Sequence, residues 1–192
     1  MLLAVGALGY ERATAQEVAA RSGITADQLQ RRFGNKDELF ARAYEEAADR
    51  LCEELFAAAR EAADWRLGFR AALAELLRTV AEQPLLAKAM LIEVRAARGR
   101  AWAAHQRLTE RLMAAVDSAR EDPDALSGVS PMTAGFMVGA IEESIGLEIG
   151  AGRSGEIERL LPDLSHLVVL NYFGEDEAWL ELRSGDVAAR AR

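Results

Sequence analysis

Three helix starts crowd into residues 14–35, which leaves room only for short helices joined by tight turns. Thr14-Ala15-Gln16-Glu17 and Thr25-Ala26-Asp27-Gln28 both have the spacing of a capping box, in which a hydroxyl accepts from the amide three residues on and a Glu or Gln reaches back. Asn35-Lys36-Asp37-Glu38 caps a further helix that runs without Gly or Pro to about Ala63. Gly23 supplies a turn residue that tolerates positive φ, and Ala19, four residues earlier, lets two helices cross closely. Val18, Ile24, Leu29 and Phe33 make the apolar core of a helix-turn-helix. Ahead of it, Met1 to Leu8 reads as a short apolar helix closed at Gly9-Tyr10.

The rest of the chain also reads as helix. Val, Ile and Thr together number 21 among 192 residues, too few for a large sheet. The stretch from Arg66 to Gln83 carries Phe69, Leu73, Leu76, Leu77 and Val80 on one stripe and stops at Pro84. A helix from Leu85 to about Arg98 follows. Trp102, His105, Leu108, Leu112 and Val116 then keep helical spacing up to a polar loop that begins at Glu121. Pro131 suits the first turn of a helix reaching about Ile149, and Pro162 divides a short helix from a longer one. The expected fold is all-α, with an N-terminal three-helix unit over residues 1–45 and a larger helical domain over 46–192.

Charge separates the two parts. The formal net charge of −8 falls entirely on residues 46–192, because Lys and Arg balance Asp and Glu in residues 1–45. Contact with a polyanion therefore belongs to the first unit. The single Cys52 excludes an internal disulfide and, with no leader-like segment ahead of it, predicts a reducing cytoplasm. Two histidines, His105 and His166, provide no His-rich metal centre, so neither a metal nor a cofactor is expected. The longest uncharged run, Ala125 to Ile141, is too short and too broken by Gly and Pro to span a bilayer. Asp163 with His166, and Glu142, Glu143 and Glu148, form neither a nucleophile and base pair nor a Glu-x-x-His metal motif, so an enzyme is not expected.

The outward positions of the third helix point to DNA. Thr25, Ala26, Gln28, Gln30, Arg31 and Arg32 carry few apolar groups, and Gln and Arg are side chains that read base edges bidentately. Lys36 sits in the first turn of the fourth helix, where a cation opposes the macrodipole unless an anion such as a phosphate compensates. The run Gly9-Tyr10-Glu11-Arg12-Ala13-Thr14, Glu17-Val18-Ala19, Ser22-Gly23-Ile24-Thr25 and Phe33-Gly34-Asn35-Lys36-Asp37-Glu38-Leu39 resembles the N-terminal domain of the TetR family of bacterial transcriptional regulators. The resemblance covers about residues 1–45. It implies a homodimer that binds double-stranded operator DNA through a recognition helix at Thr25 to Phe33, with Thr14 and Lys36 beside it. It also implies a helical domain that binds a small-molecule effector and releases the DNA. Two departures stand out: Gln30 replaces the family's usual aromatic, and the first helix starts about a turn or two late without a basic arm. Few cations are available and phosphate contacts dominate binding, so modest DNA affinity with a steep salt dependence is expected.

In the larger domain, Trp65, Phe69, Met90, Glu93, Trp102 and His105 are the candidate lining of an effector pocket, apolar walls with a few orienting polar groups. The segment Leu167 to Phe173 is apolar on every side, and a partner subunit is the simplest cover for its second face. With the small residues of the Pro131 to Gly150 helix it predicts a twofold interface of Gly135, Gly139, Ile141, Gly146, Leu164, Leu167, Val168 and Tyr172. The alternative reading is a helical dimer that binds a ligand or partner and has weakened or lost DNA binding.

Overall fold

The structure, a computed structural model, describes residues 1–23 and 25–190, with side chains described for all of these but Ser22 and residues 184–190. Ten helices follow in order among the described residues: α1 (Leu2–Leu8), α2 (Ala15–Ser22), α3 (Ala26–Phe33), α4 (Lys36–Arg60), α5 (Trp65–Glu82), α6 (Pro84–Leu91), α7 (Arg100–Asp117), α8 (Thr133–Gly150), α9 (Leu161–Phe173) and α10 (Glu175–Arg190). Short 3-10 turns occupy Glu93–Arg95, Ser118–Glu121 and Ser154–Leu160. The fold is all-α, as the residue pattern predicts.

Local chemistry explains most boundaries. Thr25 and Gln28 form a complete capping box, and the Asn35 carboxamide oxygen accepts the Glu38 amide at 2.8 Å. The Thr14 box is half made: its hydroxyl accepts the Glu17 amide at 3.2 Å, while the Glu17 carboxylate turns to Arg21 at 2.5 Å. Gly23 adopts φ 70° in the turn between α2 and α3. Ile24, expected in that core, lies outside the described residues. Asp64 caps α5 by accepting the Leu67 amide at 2.9 Å, so the helix starts one residue earlier than its stripe indicates. The helix expected from Leu85 to Arg98 ends at Leu91, and the one expected from Pro131 begins at Thr133.

Helix α4 organises the packing, with α5 and α7 laid along it. Ala4, Val18, Leu29 and Leu39 close the small core of the N-terminal unit. A second core runs across residue 45: Tyr10, Ala13, Phe40 and Tyr44 are buried together with Ala89, Met90, Val94 and Ala101 of the larger domain. A third, within the larger domain, joins α5, α8 and α9. The two parts share one continuous interior along α4, with no linker.

Two findings correct the sequence reading. Helix α10, which that reading left out, packs along α9, and Ala178 is fully buried there. The second face of the apolar segment 167–173 is therefore covered largely by its own chain, with Leu170 left 38% exposed. Ile141, Leu164, Val168 and Tyr172, expected at a subunit interface, are buried inside the subunit, in the core that joins α5, α8 and α9. The Tyr172 hydroxyl donates to Asp117 at 2.9 Å from within that core.

Helix α1 meets α6 at Gly6, where a Cβ would run into the Leu85 backbone carbonyl. Only a residue without a side chain lets the two helices approach this closely. Gly6→Ala is expected to lower stability by about 1–3 kcal/mol through forced separation of the helices. Urea denaturation checks this, and an unchanged midpoint would contradict the close packing.

Candidate functional site

The N-terminal unit presents an open polar face. Thr25, Gln28, Gln30, Arg31 and Arg32 are exposed on one side of α3, while Leu29 is buried on the other. Thr14 is exposed at the start of α2, and Ala26 is half-buried. The Arg32 guanidinium lies 5.3 Å from the Phe33 ring centroid, a contact that holds the side chain along the helix without neutralising it. Lys36 is placed differently. Its Nζ donates to the Tyr10 carbonyl oxygen at 2.9 Å and sits 4.3 Å from the Tyr10 ring centroid. The compensation that a cation needs at a helix start thus comes from within the chain. The Tyr10 hydroxyl donates to Asp37 at 2.5 Å; burial and then that carboxylate push its pKa well up, so the phenol stays protonated.

A cavity of about 450 Å³ lies between α4, α5, α6, α7 and α8, within the size range of sites for small organic ligands. Its walls are apolar: Leu51, Phe69, Leu76, Met90, Leu112 and Ile145 are among them. Trp65 stacks on Phe69 with centroids 5.2 Å apart and donates to Ser118 at 3.0 Å, which fixes its indole in the wall. Of the charged lining residues, Arg50, Glu54, Arg60 and Asp64 are exposed and Glu142 is half-buried. Glu142 accepts from the Thr109 hydroxyl at 3.2 Å, and burial raises its pKa despite that bond and the field of Arg95. Tyr44 lines the same end, its hydroxyl 2.9 Å from His105 Nδ1 and 3.3 Å from the Met90 carbonyl oxygen.

Residues 6–43 match the family model described as bacterial regulatory proteins, tetR family. The N-terminal domain is a TetR-family domain. No curated protein matches the chain. Among solved structures, the fatty acid degradation regulator FadR from Bacillus halodurans superposes with a TM-score of 0.78 at 14% identity, covering 88% of this chain and 93% of that one. FadR from Bacillus subtilis, solved in complex with stearoyl-CoA, gives the same TM-score, identity and coverage. A TetR-like transcriptional regulator from Rhodococcus sp. RHA1 gives 0.64 at 21% identity over 88% of this chain and 89% of its own. At these identities the likeness is one of fold, and it extends beyond the TetR-family domain through the larger helical domain. No described helix is long and apolar enough to cross a membrane.

The expected pocket residues divide. Trp65, Phe69 and Met90 line the cavity, whereas Glu93, Trp102 and His105 do not. Glu93 lies on the 3-10 turn after α6 and faces the TetR-family domain, where it accepts the Tyr10 amide at 2.8 Å. Trp102 is 38% exposed on the outer side of α7, its ring 5.1 Å from His105. His105 is buried behind Tyr44, one layer back from the lumen. Sequence reasoning missed Glu142 and Tyr44. Glu142 follows Ile141 in a mostly apolar helix, and only the packing of α8 turns it toward the cavity.

Burial, followed by the Arg95 charge, holds the His105 imidazole below the usual histidine range. The fold therefore favours the neutral ring, whereas the unfolded chain takes up its proton near the ordinary value of 6.5. The stability this contributes is complete above that value and is lost as pH falls through the lower folded pKa. A thermal-melt series is expected to decline below pH 6.5 in the native protein, and His105→Gln is expected to remove that component.

Proposed function

We propose that this protein is a DNA-binding transcriptional repressor, a homodimer that releases its operator when a small, largely apolar effector enters the cavity. The observation that carries the reading is that one helix belongs to both sites: α4 starts at Lys36 beside the reading helix and lines the cavity between Tyr44 and Arg60. Helix α6 does the same from another side, with Leu86, Ala87 and Met90 in the cavity wall and Leu85 against Gly6 of α1. An occupant that contacts α4 and α6 differently in two arrangements must shift DNA affinity, and DNA must shift the occupant's affinity equally. The stearoyl-CoA bound by the Bacillus subtilis FadR carries a long apolar chain, which agrees with an apolar effector here.

In this reading α3 enters the major groove and Gln28, Gln30, Arg31 and Arg32 meet base edges and phosphates. With Lys36 engaged by Tyr10, few free cations remain, which supports modest affinity. Binding to DNA flanking the protein's own gene, measured by fluorescence anisotropy at two salt concentrations, tests this. Arg31→Ala and Arg32→Ala are each expected to weaken binding by about 1–3 kcal/mol without altering the helical circular dichroism. Unchanged affinity in both variants would refute the reading surface.

The exposed stripe of α8 supports the dimer. Phe136 is 64% exposed and Leu147 63%, and Gly139 and Glu143 lie between them on the same face. Leu170 of α9, 38% exposed, adds to the apolar surface of this domain. The interface in this proposal is the outer face of α8, which keeps Gly139 from the sequence reading and leaves out the buried Ile141, Leu164, Val168 and Tyr172. Phe136→Glu with Leu147→Glu is expected to convert a dimer to monomers in light scattering; a persistent dimer would move the interface elsewhere.

A further inference from the structure

The cavity separates its charges. Along the exposed rim Arg50 and Arg60 are matched by Glu54 and Asp64, so the rim carries no net charge. Asp64 is further engaged by the first turn of α5. Deeper in, Glu142 is half-buried, and among the described residues its hydrogen bond comes from Thr109. Arg95 is within electrostatic range, yet it is 57% exposed and pairs with Glu143 on the outer side of α8 at 3.6 Å. The neighbouring polar groups cannot supply the missing charge. Tyr44 is neutral, its pKa driven up by burial first and then by Glu142 itself, and His105 is held neutral. A carboxylate facing an apolar lumen with one hydroxyl partner is costly unless it finds a cation or takes up a proton.

We infer that the occupant of this cavity is an apolar amine or comparable organic cation whose charged end pairs with Glu142 while its hydrocarbon body fills the Trp65, Phe69 and Leu76 end. The inference rests on the cavity being the effector site and names the chemistry of that effector. Burial raises the Glu142 pKa for want of a countercharge, so an incoming ammonium group restores the ionised carboxylate and forms a charge-assisted hydrogen bond in a shielded place. An anionic head at the same end would meet Glu142 in repulsion, and a neutral alcohol would gain only an ordinary hydrogen bond.

The test compares n-decylammonium, n-decanol and n-decanoate with the full chain by isothermal titration, without DNA. Quenching of Trp65 against a Trp65→Phe control locates the bound probe in the cavity. The ammonium probe is expected to bind about tenfold or more tightly than the alcohol, and Glu142→Gln to erase that preference while alcohol binding persists. Glu142→Gln removes a half-buried carboxylate without changing shape, so its thermal midpoint at neutral pH is expected to equal or exceed that of the native protein. Equal affinity for all three probes, or decanoate binding best, overturns the cation assignment and leaves the effector cavity standing. An ammonium preference that survives Glu142→Gln overturns it too. Failure of every probe to bind overturns both.

Discussion

The structure depends on the burial of one column of rings along α4. Tyr10 meets Phe40 edge-on at 5.1 Å, Phe40 meets Tyr44 at 6.3 Å, and Tyr44 meets His105 at 6.2 Å. Phe40 and Tyr44 are fully buried, and Tyr10 nearly so. Each ring removes a large apolar area from water, worth roughly 1.5–3 kcal/mol, with edge contacts adding further. The column begins in the loop beside the reading helix and ends at the cavity wall. It leaves no soft joint between the two sites, since α4 contains neither Gly nor Pro over its 25 residues.

Charge pairs outside the column play a smaller part. Arg100 reaches Glu38 and Glu45, Arg107 reaches Glu45, and Arg111 reaches Asp49, all between α7 and α4. These arginines are 42–56% exposed, and exposed pairs contribute about 0–1 kcal/mol each. The ladder therefore sets the register of α7 against α4, and ring burial supplies the adhesion. Close contacts of another kind, Gly6 against the Leu85 backbone and Glu93 on the Tyr10 amide, tie α6 and the turn after it to the N-terminal unit.

How much was legible in the sequence followed the range of the forces involved. The starts of α2, α3 and α4 are set by side chains bonding amides three residues away, and a local rule finds them. The exposed row on α3 follows from the same short segment, because Leu29 and Phe33 fix which side is buried. Lys36 was harder, since its partner is the Tyr10 carbonyl 26 residues back and the cation itself carries no sign of that. Helix α10 begins after Gly174 at φ 89° with Glu175, Asp176 and Glu177 in its first turn, a legible start that the sequence reading passed over. Missing that helix left α9 without a cover and shifted the whole interface argument to a partner.

The α8 assignment shows why composition cannot choose a face. Apolar residues circle this helix almost evenly, so periodicity distinguishes no inner side. A Cβ at Gly139 or Gly146 would meet nothing within the subunit, whereas at Gly135 it would touch Met113, so the glycines mark no single inner side. The inner register is set by Met137, Val138, Ile141 and Ile145, which fill the core against α5 and α9. Once those four are placed, Glu142 falls beside Ile141 on the cavity side, and Phe136, Gly139, Glu143 and Leu147 fall outward. One helical register therefore decides both which carboxylate faces the lumen and which apolar residues face solvent, and only tertiary packing selects it.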